Sequence, residues 1–316
     1  MISSNAVHAA DWRDRPWQAF EAERWRTHHL VGVIRNVGED REMSPEELVT
    51  ALATKRFVLL GELHDNPDHH RLQAWLVAQV KPTAVVLEMA DVDQAAALEA
   101  FQSKPDWQPA ALGATLDWER RGWPKWSTYQ PIAEAAKETG ATILAGNAER
   151  KKVRTVARGG QDVLDGAETK RLGLDEPLPT DAEAALQAEI AASHCDMLPE
   201  SLLPTMAFAQ RLRDATLADR LLAAAGRGSR AVLITGNGHA RRDRGVPYLL
   251  ERRDVAAAEI ASVMLLEVDP EAGAALDLVP RDAAGKPAAD YVWITPAASR
   301  PDPCEEMKRQ MKGTTP

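Results

Sequence analysis

Three shortages in this chain each remove a class of protein. Its 316 residues include two cysteines, Cys195 and Cys304, far apart and outside any C-x-x-C pattern, so a disulfide scaffold is not expected and a reducing compartment is. Positive charge is not in excess either. Against 47 Asp+Glu stand 38 Lys+Arg, net -9, with no basic stripe interleaved with aromatics, so no nucleic-acid partner is expected. No apolar run approaches the length of a membrane span, so no transmembrane segment is expected. The first twenty residues carry His8, Asp11, Arg13, Asp14 and Arg15 where a signal peptide needs an unbroken apolar stretch. Repeats and low-complexity tracts are missing as well. What is left is a chain long enough to bury a real core, as one large domain or two smaller ones.

What is present concentrates in one stretch, Phe57-Val-Leu-Leu-Gly-Glu-Leu-His-Asp-Asn-Pro-Asp-His-His-Arg71. Phe57 to Leu60 read as a buried strand, and Gly61 lets the backbone turn at its end. Asn66 and Pro67 supply an N-cap and a first helical residue for a helix running through Leu72, Trp75 and Leu76. The unit is strand, loop, helix, with its chemistry in the loop. Open α/β sheets bind ligands outside the carboxyl ends of their strands, where this loop places Glu62, His64 and Asp65.

The rest of the chain repeats the theme. Residues 1–27 form an N-terminal extension. His29 to Arg35 and Arg41 to Met43 flank Gly38-Glu-Asp40 as a short hairpin, and Ser44-Pro-Glu-Glu47 is a capping box opening a helix. A second apolar run, Ala84 to Leu87, ends in Glu88. Asp91-Val-Asp-Gln94 caps another helix, followed by a loop-rich aromatic stretch (Trp107, Trp118, Trp123, Trp126, Tyr129) and a helix from about Pro131 to Glu138. Ala141 to Ala145 is a third strand, closing in Gly146 to Arg150. From 151 to 228 the residues fall at helical spacing, and an α-helical insertion is expected, its firmest helices at Asp181 to His194 and Pro199 to Ala225. Arg230 to Thr235 restores the strand pattern and breaks into Gly236-Asn-Gly-His239. Ile260 to Val268 and Tyr291 to Thr295 are later strands. The main domain therefore spans 28–296, and the tail 297–316 reads as disordered or loosely docked. The fold class expected is α/β: an open, largely parallel sheet flanked by helices, with the helical insertion.

Four parallel-type strands thus end in polar clusters, and βαβ connections put all four ends on one edge of the sheet. Two ends share G-x-x-H, with an acid ending a strand between them. Two imidazoles and one or two carboxylates suit a divalent metal, or general acid–base work around a water. Plainer readings stand beside these. Of His69 and His70, in the first turns of a helix, at most one can face the cleft, the other being solvated or capping. Glu62 can equally hold its turn together, and Glu88 can pair structurally with Arg150. The aromatics between Trp118 and Tyr129 can be core beneath a long loop, Cys195 a small buried hydrophobe, and Gln210, Arg213 and Asp214 a surface network.

The run Gly61 to His70 is similar to the signature of the ChaN-like haem-binding proteins, once described as iron-regulated lipoproteins. The resemblance continues through Val85 to Met89, Gly122-Trp-Pro-Lys-Trp126 with Tyr129, His194 to Pro199, Gly236 to Pro247 and Tyr291 to Pro296, covering roughly residues 28 to 296. It implies a superfamily shared with the Tiki and TraB proteins and the erythromycin esterases, whose paired G-x-x-H motifs and acids carry hydrolytic or metal-dependent chemistry. The positions it carries over are Glu62, His64, Glu88 and His239. A haem also needs an apolar slot, an axial donor and cations for its propionates. The aromatic stretch, Tyr129, His64, His194, Cys195 and Tyr248 as donors, and Arg241, Arg242 and Arg244 as cations are the candidates. No C-x-x-C-H motif occurs, so a haem would be bound non-covalently. The expectation is a haem- or metal-binding protein, with haem or a divalent ion such as iron or zinc. Its alternative is a metal-dependent hydrolase using His64, His239, Glu62 and Glu88, with His64, Glu88 and His239 as the metal set; a pure interaction module is a third, weaker reading. The partners expected are a small-molecule or cofactor ligand and, at most, a second copy of the chain. With no leader and no lipobox cysteine near Met1, the expected location is cytoplasmic, or periplasmic or at the envelope if a leader was removed.

Overall fold

A computed structural model describes residues 11–226 and 228–313. The first ten residues of the extension, Arg227 at the end of the expected insertion, and residues 314–316 of the tail lie outside the described part. Eight strands form one sheet: β1 (Ile34–Asn36), β2 (Arg41–Met43), β3 (Phe57–Glu62), β4 (Ala84–Asp91), β5 (Thr142–Asn147), β6 (Ala231–Gly236), β7 (Ile260–Glu267) and β8 (Tyr291–Thr295). Their order is β2-β1-β8-β7-β3-β6-β4-β5. From β8 to β5 every neighbour is parallel, while the hairpin β1/β2 adds antiparallel to β8. The α/β fold and the short hairpin expected from the sequence are therefore both present.

Side chains of the central strands alternate between two cores, as a period of two requires. Val58, Leu60, Val85, Leu87, Val232 and Ile234 face one layer, and Phe57, Leu59, Val86, Ala231 and Leu233 face the other. All are buried, each contributing roughly 1.5–3 kcal/mol for a larger side chain. Burial on both faces explains why these strands read as unbroken apolar runs.

Helices α1 (Pro45–Leu52), α2 (Pro67–Val80), α3 (Ala95–Gln102), α4 (Pro109–Thr115) and α5 (Trp126–Thr139) precede β5. The capping box at Ser44 forms as expected, Ser44 Oγ accepting from Glu47 N and Glu47 Oε2 accepting from Ser44 N. The helix expected from Pro131 begins instead at Trp126, so Pro131 sits in its second turn. That earlier start places Tyr129, Ile132, Ala133 and Ala136 on one buried face against α2. Residues 11–27 are docked as well: Trp17 packs on Trp75 and Trp293, and Asp68 accepts hydrogen bonds from Glu21 N and Ala22 N.

After β5 come α6 (Arg150–Gly159), α7 (Gly166–Arg171), α8 (Thr180–Ser193) and α9 (Leu203–Ala224), then α10 (Val246–Glu251) beyond β6. The stretch expected as an insertion is helical, but α9 is part of the sheet's own covering layer. Its apolar stripe, Leu217, Ala218 and Leu221 included, lies against β5, β4 and β6.

The expectations for the cysteines are overturned. Cys195 and Cys304 form a disulfide, so Cys195 is a cross-link rather than a small buried hydrophobe, and the cysteine argument for a reducing compartment falls. Spacing could not show this, because a 109-residue separation is closed only by the fold. Of the two states expected for the tail, it takes the docked one: Arg300 pairs with Asp65 and Glu267, Ala298 N donates to Glu267 Oε1, and α11 (Pro303–Gly313) follows with most of its side chains through Arg309 exposed. Among the described residues no helix is long and apolar enough to cross a membrane.

Candidate functional site

Register places the site. Glu62 ends β3 opposite Gly236 of β6, and Leu87 of β4 is opposite Ile234, so Glu88 stands one step further beside Thr235. Glu62, His64, Glu88 and His239 therefore converge on the carboxyl edge of three adjacent strands.

Glu88 is buried and holds the centre. Its Oε2 accepts from Thr235 Oγ1 and Gly236 N, both at 2.7 Å, and its Oε1 accepts from Arg213 at 2.5 Å. His239 Nε2 is 3.3 Å from the same Oε1, and His64 Nε2 is 3.9 Å away. The structural partner expected for Glu88 was Arg150. It is Arg213 instead, because Arg150 turns its side chain to Arg121 O and gives its backbone N–H to Asp91.

Both imidazoles are fixed from behind by a carboxylate. His64 Nδ1 lies 2.8 Å from Glu62 Oε1, and His239 Nδ1 is hydrogen-bonded to Asp214. Burial pushes the His239 imidazolium down, but Glu88 and Asp214 outweigh it and raise its pKa to about 9. In His64 burial likewise lowers and Glu88 and Glu62 raise, with a net upward shift. Burial would raise Glu88, yet His239 and His64 hold it well below the usual carboxylate range. Gly236 eases the close approach, since a Cβ there would stand 3.1 Å from His64 Nε2 and the ring would have to shift by a few tenths of an ångström.

Beneath this pair the site is closed. Tyr129 is buried with its O–H donated to Glu62, and burial together with that carboxylate keeps the phenol protonated far above its ordinary range. His70 stacks on Tyr129 at 3.7 Å, its Nε2 3.5 Å from Glu62 Oε2. His69 accepts from Leu63 N at Nδ1 and meets Thr295 Oγ1 at Nε2, both at 2.9 Å. Helical phase predicts that one of these two histidines is solvated or capping, but both are fully buried. Burial holds them neutral, at about 3 for His69 and about 4 for His70.

The remaining candidates lie elsewhere. Arg241 and Arg244 are buried around Asp243, Arg244 also pairing with Glu189, so the basic run is neutralised internally. His194 caps α8 with Nδ1 2.8 Å from Ile190 O, and Asp65 is turned to Arg300. Trp118, Trp126 and Tyr129 are core, whereas Trp123 is half-buried and meets the His64 ring edge-on, centroids 5.1 Å apart. Among the described residues no group of three or more His, Cys, Asp or Glu side chains is disposed to hold a metal ion.

Sequence reasoning missed the contribution of α9. Gln210, Arg213 and Asp214 contact the candidate residues rather than forming a surface network: Gln210 Nε2 is 3.2 Å from His239, Arg213 holds Glu88 and Asp214 holds His239. The signal was there in part. Gln210, Asp214, Leu217, Ala218 and Leu221 follow helical spacing, so Asp214 lies in phase with the buried stripe.

A search of the curated proteins returns no relative. Among solved structures, that of cofacial haem binding to ChaN of Campylobacter jejuni matches with a TM-score of 0.64 at 23% identity, covering 82% of this chain and 95% of that one. It shows the same fold. A variant of erythromycin esterase EreC in its open conformation matches at 0.44 and 12% identity over 86% of this chain and 99% of that one. The type III effector HopBA1 matches at 0.43 and 13% over 79% and 91%. Both lie too far away to bear on the site. Residues 48–250, from α1 through α10, match the model of the family described as haem-binding uptake, Tiki superfamily, ChaN, and the chain belongs to that family.

Proposed function

We propose that this protein binds haem non-covalently at the carboxyl edge of the sheet, over His64 and Trp123. Family membership supports the ligand, and one observation supports the place. The His64 side chain is 35% exposed, with Nδ1 fixed on Glu62 and Nε2 outside hydrogen-bond reach of Glu88 at 3.9 Å. An imidazole backed by a carboxylate, with its other nitrogen free of a hydrogen bond, is what an iron ligand needs. Trp123 offers an aromatic wall beside it. Tyr129 is a poorer donor, since its O–H is buried on Glu62. A bound haem would bring an iron that an imidazole such as His64 can ligate. The chain's own part is to orient the imidazole through Glu62 and keep the Tyr129 proton in place. The disulfide favours an oxidising compartment.

The test is a visible-range hemin titration of wild type, His64→Ala and Tyr129→Phe. The expected result is affinity at least about tenfold weaker in His64→Ala, the cost of one strong contact, and little change in Tyr129→Phe. The reverse pattern removes His64 from the iron.

A second reading, hydrolysis, is favoured by the two carboxylate–imidazole pairs converging on Glu88. Such pairs orient an imidazole for general acid–base work. A divalent ion between them would have to compete with Arg213 for Glu88 Oε1 and displace the His239 proton. Turnover of an ester panel by wild type and not by His239→Gln is the expected signature; no turnover by wild type ends this reading.

A further inference from the structure

The charges at Glu88 do not account for a second feature of the same edge. Beside Trp123 a cleft of about 270 Å³ opens between β4, β5 and the start of α6, and Arg121, Arg150, Arg154 and Arg213 all line it. Four guanidinium groups in one small cleft repel one another unless anions balance them. The protein supplies two. Arg121 pairs with Asp91, and Arg213 pairs with Glu88. Arg150 spends its Nη1 on a carbonyl, Arg121 O at 3.0 Å, which orients the group without neutralising it. Arg154 is exposed and forms no ion pair or hydrogen bond among the described residues. Two positive charges thus face the cleft uncompensated.

The cleft's size bears on the ligand as its charge does. At about 270 Å³, just under the roughly 300–1,000 Å³ of a site that encloses a drug-sized molecule, it suits a small charged group with the rest of the ligand outside. Its walls are planar donors suited to bidentate oxyanion contacts. We propose that this cleft is an anion subsite for a doubly charged group, a phosphate monoester or a pair of carboxylates, carried by the ligand whose remainder lies over His64 and Trp123. The proposal rests on the placement of the main site at this edge, while the anion chemistry stands on the arginines alone. It also moves the anion-binding role away from Arg241 and Arg244, which are already paired.

The experiment compares wild type with Arg150→Gln/Arg154→Gln, and with Arg150→Lys/Arg154→Lys as the charge-keeping control. Both side chains are exposed on a helix, and unfolding in chloride alone checks that the variants fold. Thermal unfolding is then measured with inorganic phosphate against chloride at equal ionic strength, and hemin is titrated beside its dimethyl ester. Phosphate is expected to raise the midpoint of wild type and the lysine variant but not the glutamine variant. Hemin affinity is expected to fall at least about tenfold in the glutamine variant, with the ester binding both alike. Phosphate protection without any hemin binding supports the subsite for a phosphate-bearing ligand and rejects haem. Hemin discrimination without phosphate protection assigns the cleft to paired carboxylates. Equal phosphate effects on all variants, or none, together with hemin binding indifferent to the glutamines, overturn the subsite.

Discussion

At the scale of single residues the site is a set of buried charges held by one another, and His239 shows what that coupling does to stability. Its pKa rises from 6.5 to about 9 in the folded state, because Glu88 and Asp214 favour the imidazolium more than burial disfavours it. A raised folded pKa stabilises fully below the unfolded value and is lost as pH climbs through the folded one. Between pH 6.5 and about 9 the protein should therefore lose on the order of 3 kcal/mol from this residue. Below pH 6.5 the sign reverses for His69 and His70, which folding keeps neutral down to about 3 and 4. Denaturant unfolding across pH 5 to 9.5 should show greatest stability near pH 6.5. In His239→Gln the whole curve should sit lower, and its decline above pH 6.5 should be shallower. A wild-type curve flat from 6.5 to 9 would mean that His239 is neutral in the folded protein. Part of this site was legible in the sequence. Glu62 and Glu88 lie at or near the carboxyl ends of strands, and His64 and His239 just beyond them, where parallel topology must bring the ends together, so local pattern sufficed. Arg213 and Asp214 sit on a helix whose facing toward the edge depends on packing, and their charged side chains read as solvated.

At the scale of elements the contact that sets the site is α9 crossing β5 and β4, and Gly146 controls how closely they approach. A Cβ at Gly146 would stand 2.6 Å from Val86 Cγ1, 2.9 Å from Leu217 Cδ2 and 2.9 Å from Leu87 O. Two of those atoms end side chains and can yield a little, but the carbonyl oxygen belongs to the neighbouring strand. Relief must come from moving β5 or α9. Overpacking of this kind costs about 1–3 kcal/mol, so Gly146→Ala should lower the denaturant midpoint by a corresponding amount. A shift of α9 also moves Arg213 and Asp214 relative to Glu88 and His239, and hemin affinity should fall with stability. Unchanged affinity in a destabilised variant would show that β5 had moved and α9 had not. The sequence reading recovered the strands and most helices because their apolar periods are local. It missed the start of α5 for a physical reason: Pro131, in the second turn, lacks the N–H its helix position would use and so reads as a breaker, and the tertiary face formed by Tyr129, Ile132 and Ala136 outweighs that local cost.

Across the whole molecule the chain's last segment closes over elements far from it in sequence. From β8 it passes Glu267 and Asp65, held to both by Arg300, and is then tied through Cys304 to Cys195 just beyond α8. Asp65 lies one residue beyond His64, so the tail braces the loop that carries the candidate iron ligand. A cross-link spanning 109 residues removes much of the freedom of the unfolded chain, and native disulfides typically contribute about 2–5 kcal/mol. Cys304→Ser should therefore lower unfolding stability by that order, with the same loss in wild type treated with a dithiol reductant. The two anchors act on different partners and separate cleanly. Loss of the disulfide leaves Arg300 on Asp65, so hemin binding at His64 should survive Cys304→Ser. Arg300→Ala frees the Asp65 loop and should weaken hemin binding even with the disulfide intact. Stability by denaturant and affinity by titration, measured on both variants, decide it: equal affinity loss in the two would mean that the tail acts on the site as one unit, through the cross-link as much as through the ion pair.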